Sequence, residues 1–248
     1  MNIRPIVVLS CLITSAAFSV EAPAIPAAPI AKKKELLFSD DFKGDTHDKR
    51  WHRVVDTFTF EKGALKGTQT RDKTIPAANG KPEITAHAAV YGLELPTKDS
   101  VVEVKIRFEG ATRMDVEFDD RKYTGSHYGH LCRAIVSLNG VTIMDEREGS
   151  QNEELKAMRA DPAKKDEAAK RMAGKSATFP GKYEPGKTYT FTVETVGEEM
   201  RASIDGKPVG YLKSPGIGHP TKSKIEIGVS GKDGYFEDIK VWNAEPAK

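Results

Sequence analysis

The chain has 248 residues and a net charge of +2, from 38 basic and 36 acidic side chains. The two signs are interspersed, so there is no one-sided basic stripe of the kind that binds nucleic acid, and no charge-driven partner is implied. The length fits one large all-β domain after loss of a short leader, enough to bury a substantial core.

Arg4 supplies a positive n-region, and residues 6–18 form an apolar stretch too short to span a bilayer. Small residues at Ala17-Phe18-Ser19 place cleavage after Ser19, so residues 1–19 read as a signal peptide and the protein as secreted or periplasmic. A lipoprotein reading of Val8-Leu9-Ser10-Cys11 would leave too short a leader. Cleavage leaves Cys132 alone, which excludes an internal disulfide. Residues 20–34, rich in Ala and Pro and ending in Lys32-Lys33-Lys34, read as a mobile linker.

Structure is expected from Glu35. Residues 51–60 and 64–70 predict strands around Lys62-Gly63, and 71–82 a polar loop with Asn79-Gly80 at its tip. Residues 83–95 predict a strand carrying His87 and Tyr91. Residues 101–109 alternate with period two, and 113–119 repeat the pattern, each giving one apolar and one charged face. Residues 123–130 are a loop, and Asn139-Gly140 turns a hairpin between 130–138 and 141–145. Residues 150–174 break the β pattern. Ser150-x-x-Glu153 reads as a capping box and Asp161-Pro162 as a second helix start, giving a charged helical insertion. Residues 188–242 predict a closing meander, with Asp205-Gly206 as its strongest turn.

Asp115-Val116-Glu117-Phe118-Asp119 is the sharpest chemical pattern. Alternate residues on a strand lie roughly 6.6 Å apart. Glycosidases place two carboxyls about 5–5.5 Å apart for retention or about 6.5–9.5 Å for inversion, so neighbouring members of this set fit. The competing reading is a solvated sheet face balanced by Arg113, Lys105 and Arg107. His127-x-x-His130 is a thin basis for zinc, because no third ligand has diagnostic spacing. For a sugar ring, Tyr123 and Tyr128 in the loop after the acidic strand are the expected platform, with Trp51 and Trp242 left to the core.

Several stretches in order resemble the 3-keto-disaccharide hydrolase domain family. They are L-F-S-D-D-F at 37–42, G-A-L-K-G at 63–67, G-H-L-C-R at 129–133, S-I-D-G-K-P-V-G at 203–210, S-P-G-I-G-H-P at 214–220 and F-E-D-I-K-V-W at 236–242. The resemblance covers about 35–244 and implies a concanavalin A-like jelly-roll sandwich of two antiparallel sheets. It implies an exported hydrolase or a non-catalytic glycan-binding module, with no cofactor. It puts His87, His130 and Arg133 on the substrate side. The acidic strand is similar to that of family-16 glycoside hydrolases, but runs Asp, Glu, Asp where that family alternates Glu, Asp, Glu, so roles do not carry across. Asp41 and Asp238 would share the structural calcium of some related sandwiches. A protein partner would use Leu155, Met158 and Met172 if they form an exposed stripe.

Overall fold

The structure, a computed structural model, describes residues 21–44, 48–55, 57–61 and 63–247. The expected signal peptide lies outside these residues, apart from which no described helix is long and apolar enough to cross a membrane. All strand pairs are antiparallel, and the sheet folds over on itself into two layers.

Two long strands build both layers: β6 (Ser100–Asp119) and β13 (Lys222–Pro246). Each turns a corner at a glycine with positive φ, Gly110 at 105° and Gly231 at 91°, and the register between them slips there. Such backbone angles are strained for any side chain with a Cβ. The two expected strands of 101–119 are therefore one strand, and the period-two pattern skips at its bend.

In the first layer, β2 (Trp51–Arg53) pairs with β5 (Ala89–Thr97), and β5 with the early part of β13. Beyond β6 follow β7 (His130–Ser137), β8 (Gly140–Asp145) and β9 (Ser176–Pro180). In the second layer, β10 (Thr188–Val196) pairs with the early part of β6 and carries β11 (Glu199–Ile204) and β12 (Lys207–Lys213). The far side of β13 carries β1 (Ala31–Asp40) and β4 (Ala64–Thr68), and β3 (Phe58–Glu61) pairs with β4. Phe108, Met114, Val116 and Phe118 of β6 are buried between the layers with Phe191, Val193 and Phe236. Trp51 stacks on Tyr91 at 5.0 Å inside this core, as expected of an anchor, and Tyr91 is thereby unavailable to a ligand. Trp242 is half-buried, with Lys33 Nζ over its ring.

Several expectations are corrected. The linker is not free: β1 starts at Ala31, Arg201 donates to the carbonyls of Pro26 and Ala27, and Glu194 accepts from the amides of Ile30 and Ala31. Residues 71–87 form one exposed arm with bridges at Arg71–His87, Ile75–Ile84 and Ala78–Lys81, so the strand begins only at Ala89. In the insertion, α1 (Glu153–Ala160) is capped by Asn152, whose side chain accepts from Leu155 N, rather than by Ser150. Asp161 does cap the turn before α2 (Lys165–Met172). Leu155, Met158 and Ala168 are buried against one another, with Met172 packed on them, so the insertion presents no apolar stripe.

Candidate functional site

The outer face of the first layer is set by register. A middle row runs His52 (β2), Gly92 (β5), Glu226 (β13), Glu117 (β6), Arg133 (β7) and Met144 (β8), each opposite the next. One flanking row runs Glu94, Lys224, Asp119, His130, and the other Val90, Gly228, Asp115, Ile135. Gly92 and Gly228 are floor positions. A Cβ at Gly92 would overlap the His52 ring, and one at Gly228 would overlap the Asp115 carboxyl.

Asp115, Glu117 and Asp119 share this face as expected, but they are not solvated: their residues are 6%, 3% and 0% exposed. Their partners are also not the expected ones. Lys105 pairs with Asp238 and Arg107 with Glu109, both beyond the Gly110 corner, and Arg113 is exposed. The cations that touch these three carboxyls are His130, Arg133 and Lys224. His130 Nδ1 lies 2.5 Å from Glu117 Oε1 and 3.0 Å from Asp119 Oδ1. Lys224 Nζ lies 2.9 Å from Asp119 Oδ2 and donates to Glu226 Oε1 at 2.5 Å. Arg133 Nη2 donates to Glu117 Oε1 at 2.9 Å and to Glu146 Oε1 at 2.9 Å.

Glu146 reaches the site from the irregular turn after β8. Asp145, immediately before it, fixes that turn: Oδ2 accepts from Ser214 Oγ and Gly216 N, and Oδ1 from Glu148 N. The S-P-G sequence at 214–216 thus holds the base of the insertion.

Carboxyls on this face outnumber cations, and the excess shows in protonation. Burial pushes Glu146 up to about 8, the Glu117 charge adds to it, and Arg133 offsets only part. Burial likewise raises Asp115, Glu117 and Glu226. Burial would raise Asp119 too, but His130 and Lys224 hold it below its ordinary value. Burial opposes charge on His130, yet hydrogen bonds to Asp119 and Glu117 lift it to about 11. His130 is therefore a fixed cation at neutral pH and not the base its ordinary value suggests.

These shifts fix a pH dependence. Glu146 titrates near 4.5 when unfolded and about 8 when folded, and His130 near 6.5 and about 11. Both are raised, so the stability linked to each is complete below the unfolded value and lost as pH rises through the folded one. The thermal midpoint should fall from pH 5 to pH 9, and Glu146→Gln should flatten the slope between 4.5 and 8. An equally steep slope in that variant would assign the titration elsewhere.

The other expected residues scatter. His87 sits on the exposed arm with Nδ1 against Ala88 O, outside the cluster. Tyr123 is half-buried against the His219 ring at 5.0 Å. Tyr128 stands 78% exposed, with His127 4.3 Å from it and His130 6.1 Å beyond His127. His127 faces Glu153 while His130 faces Glu117 and Asp119, so the two histidines do not converge on a zinc site. Glu117, His130 and Glu146 do bring ligand atoms within 4.8 Å of one another, but Arg133 Nη2 bridges the two carboxyls and fills a cation's place. Asp41 and Asp238 do line one surface cavity together, where Lys105 pairs with Asp238 and Asp41 accepts from Lys43 N.

Lys224 and Glu226 were missed although legible: they alternate with Ile225 and Ile227 in an obvious strand. Glu146 carried no local signal.

No protein-family model matches the chain, and no curated protein matches it. Solved structures do. SCLam, a non-specific endo-beta-1,3(4)-glucanase from family GH16, matches at 10% identity with a TM-score of 0.56, covering 91% of this chain and 97% of that one. Porphyranase B from Zobellia galactanivorans matches at 11% and 0.55, covering 90% and 99%. The laminarinase catalytic domain from Thermotoga maritima MSB8 matches at 12% and 0.54, covering 86% and 99%. At such identities the likeness speaks for fold: the chain is a concanavalin A-like jelly roll, as expected.

Proposed function

We propose that the protein is an exported carbohydrate-active enzyme that cleaves a glycosidic bond on the outer face of the first layer. One observation carries this reading: Glu117 and Glu146 lie as a close carboxyl pair in which Glu146 keeps its proton at neutral pH. Glycoside cleavage needs one carboxyl to protonate the leaving oxygen and a second to attack or to activate water. Glu146 is the proton donor and Glu117 the second group. Their ligand oxygens lie within 4.8 Å, closer than the roughly 5–5.5 Å used for retention and far from the spacing used for inversion. Arg133 and His130 hold the pair in place, and Asp115 and Asp119 set its field. The finer substrate, a 3-keto glycoside, rests on the family resemblance alone.

The test is turnover by the purified protein on 3-keto and ordinary disaccharides and β-glucans across pH. Activity should fall as pH rises through about 8. Glu146→Gln should cost about 10²–10⁴-fold and remove that alkaline limb. An unchanged limb in the variant would exclude Glu146 as the donor.

A non-catalytic glycan-binding module is the second reading. It is favoured by the burial of the carboxyls and by the exposure of Tyr128 at the rim. Glycan binding without turnover on any substrate would select it.

A further inference from the structure

We infer that His52, Glu94 and Arg121 form a second sugar-binding position, so that the glycan is longer than a disaccharide and lies across the strands. The inference rests on the proposed function and adds the length and direction of its substrate.

The observations are these. His52 occupies the same register row as Glu117, with Gly92 and Glu226 between them. That is three strand spacings, about 14 Å. A disaccharide cleaved at Glu117 does not reach so far. Gly92 has no side chain, and the imidazole of His52 occupies the space a Cβ would take. The ring therefore lies low on the sheet, and the row between it and Glu117 is occupied by Glu226, which is 3% exposed and held by Lys224. Arg121 completes the group. Its Nη2 donates to His52 Nε2 at 3.0 Å, its Nε donates to Glu94 Oε1 at 2.8 Å, and its Nη2 contacts the same carboxylate oxygen.

Access separates this group from the centre. The side chains of His52, Glu94 and Arg121 are 30%, 40% and 51% exposed, against 3% for Glu117. A carboxylate beside a guanidinium presents acceptor and donors together, which is what neighbouring hydroxyls on a pyranose require. The ligand class is a neutral oligosaccharide, because Glu94 balances Arg121. The oxidation state of the ring at the cleavage point is independent of this.

The experiment uses the full chain and gluco-oligosaccharides from two to six units, β-1,3- and β-1,4-linked. Turnover is measured on the parent and binding on Glu117→Gln. Each is repeated with Arg121→Ala and with His52→Ala, and Arg121→Lys serves as a variant that keeps the charge without the fork. Affinity and kcat/KM should rise with length in the parent, and the variants should lose roughly tenfold on the long chains but little on the disaccharide. A length dependence that survives both alanine variants, or no length dependence in the parent, overturns the second position and leaves the proposed function standing. Neither binding nor turnover at any length also overturns the second position, whereas the proposed function falls only if the 3-keto and ordinary disaccharides are not turned over either.

Discussion

Glu117→Gln lowers turnover at least about a hundredfold while the protein stays folded. The loss follows from the role proposed for Glu117 beside the protonated Glu146. Retention of the fold follows from the charge balance. Glutamine keeps the shape of the side chain, and its oxygen still accepts from Arg133 Nη2, which reaches Glu117 at 2.9 Å. It also removes one of the carboxyls that crowd Arg133, His130 and Lys224. The unfolding midpoint should therefore stay level or rise. Steady-state rates and a urea titration on the same preparation check both halves. Full activity in the variant would mean that Glu117 is neither acid nor base. A collapsed midpoint would mean the cluster is structural, and that the lost rate says nothing about chemistry.

Arg133→Met has the opposite signature. Among the described residues, Arg133 is the one cation hydrogen-bonded to both Glu117 and Glu146, and its side chain is 20% exposed. Methionine fills part of the volume but leaves two buried carboxyls facing each other. Breaking a buried pair in this way costs about 3–5 kcal/mol. Protons relieve part of that cost, so the deficit should be larger at pH 8 than at pH 5. Urea unfolding at the two pH values reads it directly. A loss below about 1 kcal/mol at pH 8 would show that the network does not depend on the guanidinium. Arg133→Lys keeps the charge without the fork and should recover only part of the stability.

The acidic strand was legible because the physics is local. Alternation puts Asp115, Glu117 and Asp119 on one side wherever the strand lies. Whether that side meets water is not local. It depends on Arg133, His130 and Lys224 arriving from β7 and β13, and period-two patterns do not encode neighbours. Glu146 was the least legible. Its position depends on Asp145 binding Ser214 and Gly216, about seventy residues on. The two-layer architecture was partly hidden for a related reason. Gly110 and Gly231 bend strands that continue, whereas a glycine between two alternating runs reads as a turn that ends one. Residues 83–88 show the reverse error, since they look like a strand but pair only through isolated bridges to Arg71 and Ile75 and project with the arm. The Ala/Pro stretch before Glu35 misled by composition, because what orders it is Arg201, 175 residues from Pro26.

The shared strands also set when this protein can fold. β6 is complete at Asp119, yet its neighbour in both layers, β13, starts only at Lys222. During synthesis the chain therefore carries an unpaired β6 edge until β13, about a hundred residues later, has been made. Long loops must close before that pairing contributes, which makes assembly slow and late. Neither layer can form ahead of the other, since each lacks its centre until β13 docks. A chain stalled or truncated before Lys222 has no stable half to fall back on, and exposes an aggregation-prone edge instead.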